Sequence, residues 1–248
     1  MPLEDFPPSV LDSPVSLLNA RFGRMPAEAV LRRLLPAGGA GAPVALVSAF
    51  GAESAVLLHM VAEIAPRTPV LFIDTELLFA ETLDYQRALS RRLGLADTRV
   101  LRPSREELFA GDPDGLLHHF DPDACCALRK VAPLQRALAG FDGWISGRKT
   151  WQGGARARMP LFERDPAGRL KVNPLRGWDR ERIAEYFEHH DLPRHPLVAR
   201  GYASLGCRPC TTPVRPGESP RAGRWRGLDK SECGIHLSPD GRVERGAA

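Results

Sequence analysis

Cys125 and Cys126 are adjacent in this chain, and a second pair, Cys207-Arg-Pro-Cys210, follows about eighty positions later. Four thiolates suffice for a tetrahedral zinc ion or for the four irons of a cubane cluster, and a CxxC spacing lets two side chains converge on one centre. Adjacent side chains on one helical turn suit a zinc tetrahedron poorly, whereas a larger cluster with separate iron corners accommodates them. Cluster, zinc and unmetallated core cysteines all stay open on spacing alone. The fifth cysteine, Cys233, is left over from any four-ligand set and sits in Lys-Ser-Glu-Cys-Gly-Ile-His-Leu, beside a glycine. Arg221, Arg224, Arg226 and Lys230 lie close by in sequence, and cations stabilise the reactive thiolate. Cys233 therefore reads as a nucleophile rather than a structural thiol.

Two further groups of residues point to an anion. Ser48-Ala-Phe-Gly-Ala-Glu-Ser54 follows an apolar run: Gly51 would permit a tight turn, and the helix after it would offer N–H groups. This loop is neither GxGxxG nor a Walker loop, and many strand-to-helix turns carry Gly and Ser for backbone reasons alone. Basic residues cluster at Arg129-Lys130, at Arg148-Lys149 with Arg156, and at Arg221 and Arg224. Arginine forks match phosphate and sulfate oxygens, while lysine acts as a compact charge. Three of the only four lysines (Lys130, Lys149 and Lys230) fall within these clusters.

The elements that must carry these residues alternate. Ser16 to Leu35 reads as one amphipathic helix ended by Pro36 and a Gly-rich turn. Residues 43–50 form a buried-strand run, followed by a helix from Glu53 to Ala65; residues 68–74 form a second strand, followed by a helix from Phe79 to Leu93. A third strand at 98–103 leads to a short helix capped by Ser104. Asp123 to Ala139 reads as one helix bearing the cysteine pair, residues 143–149 as a strand entering a basic loop, and Arg180 to His190 as a last helix. Strands alternating with helices predict an α/β fold, a doubly wound, mostly parallel sheet, with ligands at the carboxyl ends of the strands. Ser48 to Glu53, Asp74 to Glu76 and Ser146 to Arg156 fall at those ends. The organisation expected is an N-terminal arm and helix (1–40), a nucleotide-binding α/β domain (41–200) and an irregular C-terminal segment (201–248). About fifty irregular residues are too many for a passive loop, so this segment should fold onto the domain and act there.

Composition narrows the function classes. With 43% hydrophobic and 26% charged residues the chain can bury a core without disulfides. No apolar run reaches the roughly 18 residues needed to cross a bilayer, and the acidic, proline-broken start lacks the features of a secretory signal, so cytoplasm is the expected compartment. Residues 1–124 carry 11 basic against 17 acidic side chains and residues 125–248 carry 23 against 13. A basic second half suits an anionic partner. Nucleic acid is disfavoured, since only four of the 34 basic residues are lysines and no long basic run occurs.

Taken together, Cys-Cys-x-x-Arg-Lys-x-x-Pro-Leu (125–134), Gly-Cys-x-Pro-Cys-Thr-x-Pro-Val (206–214), Arg-x-Gly-Arg-Trp (221–225) and Glu-Cys-Gly-Ile-His (232–236) resemble the assimilatory, thioredoxin-dependent adenylyl-sulfate reductases that carry a four-iron cluster. The weaker Ser-Ala-Phe-Gly-Ala-Glu-Ser and Phe-Ile-Asp-Thr segments join them, so the resemblance runs from Ser48 to Leu237. It implies an adenine nucleotide α-hydrolase-like sheet and a [4Fe-4S] cluster on Cys125, Cys126, Cys207 and Cys210. It also implies a nucleotide pocket from Ser48, Gly51, Ala52, Glu53, Ile73, Asp74 and Thr75 with the basic loop of Arg148 and Lys149. Lys130, Arg156, Arg221 and Arg224 would face the phosphosulfate, and Cys233 would be the nucleophile with His236 nearby. The implied reaction turns adenylyl sulfate into sulfite and AMP through an S-sulfonate on Cys233, with thioredoxin as electron donor, in an assembly of identical chains. Three positions depart from the family pattern: Phe50, often Ser or Gly; Glu76, often Gly; and Thr150, in a loop usually more basic. The alternatives are a reductase of the 3′-phosphorylated nucleotide, an ATP-dependent enzyme inserting sulfur into RNA, which would need an SGGxDS loop that this chain lacks, and a zinc-stabilised nucleotide-binding module.

Overall fold

Short runs of Val, Leu, Ile and Phe become the centre of a sheet covered on both faces. The computed structural model describes residues 10–35, 43–228 and 230–236, leaving aside the side chain of Ala155. The Pro-rich start up to residue 9, the Gly-rich turn after Leu35 and Leu237 onward lie outside the described residues.

In chain order the elements are α1 (Val15–Phe22), α2 (Ala27–Leu34), β1 (Val44–Val47), α3 (Ser54–Ile64), β2 (Val70–Ile73), α4 (Ala80–Arg92), β3 (Thr98–Leu101), α5 (Arg105–Gly111), α6 (Leu117–Phe120), α7 (Pro122–Cys126), α8 (Ala132–Leu138), β4 (Gly143–Ser146), β5 (Phe162–Arg164), β6 (Leu170–Val172) and α9 (Arg180–His189). They build a six-stranded sheet in the order β3-β2-β1-β4-β6-β5. Every neighbouring pair is parallel except β5 with β6. Because successive side chains of a strand point to opposite faces, the buried strands fill two cores at once. Val44, Leu46, Val70, Phe72 and Ile145 face a large core shared with α1, α2, α3 and α9. Ala45, Leu71, Ile73 and Trp144 face a smaller one with Leu134 and Leu138 of α8. The doubly wound expectation thus holds, and β1 and β4 mark where strand order reverses, the place such sheets open a ligand crevice.

The structure corrects two of the predicted elements and adds a hairpin. The single helix over Ser16 to Leu35 is two: α1 ends at Gly23, and Pro26, which cannot continue a helix, caps the start of α2. The helix over Asp123 to Ala139 is interrupted by a π turn at Ala127–Val131 before α8 resumes at Pro133's turn. The β5–β6 hairpin was not anticipated, although Asp165-Pro-Ala-Gly168 between two short runs is a turn signal; Gly168, with φ 82°, takes the left-handed position there. The outer side of β5 is closed by one side chain: Asn19 of α1 donates from Nδ2 to the Phe162 carbonyl (2.7 Å) and accepts from the Phe162 N–H at Oδ1 (3.0 Å).

Helix ends follow their caps. Ser104 and Glu107 form the reciprocal capping box of α5, and Asp179 accepts from the Arg182 N–H at the start of α9. Among the described residues no helix is long and apolar enough to cross a membrane.

Candidate active site

The loops after β1 and β4 and the C-terminal segment enclose one pocket, lined by Ser48, Gly51, Ala52, Glu53, Ile73, Thr75, Lys130, Arg148, Lys149, Arg156, Arg221, Arg224, Cys233 and His236. Every anticipated substrate and catalytic residue is on that wall except Asp74. The Asp74 carboxylate instead pairs with Arg102 (2.9 Å) and accepts from the Glu76 N–H (3.0 Å), in a separate cleft by the end of β3. The alternation of β2 explains this: Ile73 and Thr75 point one way, and Asp74 the other.

The first loop departs from expectation in its backbone. Gly51 is not in the left-handed region; Phe50 is, with φ 45°, and a Cβ at Gly51 would meet only Leu205 and Ser54 at ordinary contact distances. The turn is held by its own hydroxyls, the Phe50 N–H donating to Ser48 Oγ (3.2 Å) and the Gly51 N–H to Ser54 Oγ (2.8 Å). These two loop N–H groups precede α3 and are already satisfied. Phe50 can hold this conformation because its ring is fully buried, edge-on to Phe72 at 5.3 Å. Burying a Phe side chain is worth about 1.5–3 kcal/mol, more than the roughly 1–2 kcal/mol that left-handed backbone costs a non-glycine residue.

The cations differ in how far they are already matched. Lys149 Nζ is buried against Glu53 (2.9 Å) and the Gly147 carbonyl (3.0 Å). Arg148 pairs with Glu163, which also accepts from Lys171 Nζ (3.1 Å) and Asn173 Nδ2 (2.9 Å). That network stands on the unanticipated hairpin, and Lys171 lies 4.9 Å from the centre of the Trp144 ring. Burial, then the neighbouring Arg148, brings the Lys171 ammonium down to about 8. The remaining guanidinium groups crowd one another: burial first, and then Arg156, lower Arg221 to about 10. Arg224 reaches the pocket beneath Gly206, where any Cβ would stand 2.3 Å from its Nη2, and its Nη1 donates to the Leu205 carbonyl at 2.7 Å. An anion placed among Arg156, Arg221 and Arg224 would relieve this repulsion.

The π turn carries two cations that face different ways. Arg129 turns inward to Asp112 (Nε to Oδ2, 2.8 Å) and the Thr75 carbonyl (3.0 Å), tying the cysteine helix to the end of β2. Lys130 lines the pocket. Burial works against its ammonium, but the sulfurs of Cys207, Cys233 and Cys126 outweigh it and raise its pKa. One buried lysine thus touches the fields of both cysteine pairs and of Cys233.

Cys125, Cys126, Cys207 and Cys210 interact electrostatically with one another, and none is in a disulfide. Burial, then the charge of Cys126, pushes Cys125 up to about 12; burial also raises Cys126 and Cys210. Cys207 alone is lowered: burial opposes, but Lys130 and a hydrogen bond with Thr75 Oγ1 (3.2 Å) prevail. Among the described residues no three His, Cys, Asp or Glu side chains gather closely enough to hold a metal ion. The second pair is brought to the first by a bridge between Leu78 and Cys207 and by the Arg208 N–H donating to the Leu77 carbonyl (2.8 Å).

His236 is half-buried and stacked on Trp144 at 5.7 Å, its buried Nδ1 lacking a hydrogen-bond partner. Burial, then Arg148 and Lys171, holds its pKa well below the usual imidazole value, so it is neutral. Two partners of Arg156 were not singled out from the sequence. Gln152, on the pocket wall, accepts from Arg156 Nη1 (2.6 Å), and Glu232, behind that wall and quoted only as part of a motif, pairs with Arg156 Nη2 (2.8 Å).

A mostly parallel sheet with its crevice at the β1–β4 reversal, walled by cations and closed by a thiol-bearing segment, defines a protein of the adenine nucleotide α-hydrolase-like class. Residues 43–213 match the phosphoadenosine phosphosulfate reductase domain, and the chain belongs to that family. It is 47% identical to the adenosine 5′-phosphosulfate reductase of Chelativorans sp. over 93% of this chain and 94% of that protein. With the enzyme of the same name from Mesorhizobium japonicum it shares 51% identity over 79% and 76% of the two chains. Among solved structures, phosphoadenylyl-sulfate reductase from Candida auris superposes with a TM-score of 0.66 at 26% identity, covering 80% of this chain and 96% of that one. The FMN adenylyltransferase of Candida glabrata, at 15% identity and a TM-score of 0.53, shares the fold.

Proposed function

We propose that this protein reduces adenylyl sulfate to sulfite and AMP, with a dithiol protein of the thioredoxin class as electron donor, in the cytoplasm. The observation that carries the reading is that Cys233, the one cysteine outside the two pairs, lines the same pocket as Lys130, Arg156, Arg221 and Arg224. A thiolate approaching the sulfuryl group of a phosphosulfate anhydride meets a shell of negative oxygens, and pre-placed cations remove that repulsion and stabilise the phosphate that leaves.

In the first step the Cys233 thiolate forms an S–S bond to the sulfuryl sulfur with its own electron pair, the S–O bond to the α-phosphate breaks, and AMP departs with the electrons of that S–O bond. Cys233 then carries an S-sulfonate. A thiolate of the donor attacks Cys233 Sγ, sulfite leaves with the S–S electrons, and the donor's second thiol resolves the mixed disulfide. Two electrons pass from the dithiol to sulfur. Arg156, Arg221 and Arg224 would hold the phosphosulfate, and neutral His236 would offer its unpartnered Nδ1 within the pocket.

Cys125, Cys126, Cys207 and Cys210 fit a four-iron cluster. A cubane binds each sulfur at a separate corner, so the adjacent Cys125 and Cys126 need not converge on one ion. Burial raises three of the four thiols, so a polycationic core is what would keep them as thiolates. When bound, the cluster supplies a structural tie and an electrostatic field, relayed to the pocket by Lys130.

The test follows AMP and sulfite release from adenylyl sulfate with and without reduced thioredoxin. Cys233→Ser is expected to lose at least about a thousandfold in rate, as removal of a covalent nucleophile does, while still binding AMP. Sulfite formation by Cys233→Ser at the normal rate, or an S-sulfonate found by mass spectrometry on one of the paired cysteines, overturns the reading. Turnover faster with the 3′-phosphorylated nucleotide would transfer it to that substrate.

A further inference from the structure

Glu232 immediately precedes Cys233, and its carboxylate is not at the surface: its side chain is 8% exposed and lies between two pocket arginines. Arg156 grips it as a fork, Nε to Oε1 and Nη2 to Oε2 at 2.8 Å. Arg221 Nη2 stands 3.5 Å from Oε1 and donates to the Ser231 carbonyl at 2.6 Å. Arg156 is itself aimed by Gln152. These contacts tether residues 231 and 232, and with them the nucleophile, to the guanidinium groups assigned to the phosphosulfate. A bidentate guanidinium–carboxylate pair has the same planar geometry that guanidinium uses for sulfate or phosphate oxygens, and one fork cannot serve both anions fully.

We propose that Glu232 is a positioning residue, a resident stand-in for the substrate's anionic group: it holds the Arg156–Arg221 fork while no nucleotide is bound and surrenders it when adenylyl sulfate arrives, so that tail docking and anion binding compete. The proposal rests on the assignment of these arginines to substrate. Its physical basis is exchange: the incoming group brings more charge and more oxygens than one carboxylate, and Glu232, once released, is solvated. Coupling of this kind is reciprocal, so each anion that enters loosens the segment carrying Cys233. The device also keeps buried guanidinium groups paired at every stage, since an uncompensated buried charge is costly.

Inorganic sulfate is the probe, because its binding to the fork does not depend on turnover. Calorimetry on anaerobically purified wild type, Glu232→Gln and Glu232→Asp is expected to show sulfate and AMP binding about tenfold tighter in Glu232→Gln, with Glu232→Asp, which keeps the charge, nearer to wild type. A Glu232 that merely supports the fold would give the opposite sign: the glutamine variant would bind sulfate more weakly. Equal or weaker sulfate binding by Glu232→Gln, or none by either protein, overturns the proposal. In the wild type itself, sulfate should speed tryptic cleavage after Lys230; unchanged or slower cleavage also overturns it. Failure of wild type to turn over adenylyl sulfate, with the sulfate pattern intact, would sink the functional reading and leave the competition standing.

Discussion

At His195 the Leu197 N–H donates to Nδ1 (3.2 Å) and Nε2 lies 3.0 Å from Thr82 Oγ1, so the ring must keep Nδ1 bare. Burial lowers its pKa to about 4. The unfolded chain, with an imidazole near 6.5, then binds more protons than the folded one between pH 6.5 and 4, and stability falls as pH drops through that window. Denaturant unfolding of the wild type should weaken across it, and His195→Gln should flatten that part of the profile; an unchanged slope would contradict the assignment. His236 obeys the same rule inside the pocket, where its neutral ring accepts or donates a hydrogen bond but adds no further charge to a crowded set of cations. Cys233, the paired cysteines and Lys130 were readable from spacing and residue type. Glu232 was not, because its role comes from Arg156, 76 positions away in sequence; Lys171 was not, because it meets Glu163 only across the unanticipated β5–β6 hairpin.

Elements were legible wherever one period or one capping residue dominated, as in β1, β2, β4 and α5. They were misread where a single residue broke a longer pattern, at Gly23 to Pro26 and at the π turn. That turn carries Arg129 and Lys130, which, adjacent in sequence, serve Asp112 and the pocket separately. The backbone is left-handed at Phe50 and Glu76, two positions where glycine would be unstrained. The two positions should respond oppositely. Glu76, with φ 61° and only an exposed pairing to Arg105, is expected to gain up to about 1 kcal/mol as Glu76→Gly. Phe50→Ala, which empties a fully buried site, should lose about 3 kcal/mol or more. Chemical denaturation of both variants checks the pair, and a destabilised Glu76→Gly would show that the Arg105 contact outweighs backbone strain.

For the whole molecule, the sequence predicted the sheet class and the location of its crevice, but not the edge hairpin or which loops it supports. The proposed cluster would join Cys126 to Cys207 across a loop of about eighty residues. By the closure entropy of a cross-link of that span it is worth about 4 kcal/mol, or roughly 10 °C in unfolding temperature for a chain of this size. Removing iron under anaerobic conditions should lower the thermal midpoint by about that amount and bleach the visible absorbance; a colourless preparation with an unshifted midpoint would argue against a cross-linking role. The sheet's two margins are unequal. On the β3 side Val100 is 42% exposed, whereas on the β5 side the Asn19 carboxamide supplies both hydrogen bonds that a seventh strand would have made to Phe162. One side chain thus acts as a terminator for strand addition, so any growth of this sheet by recruitment of a foreign strand is confined to the opposite rim.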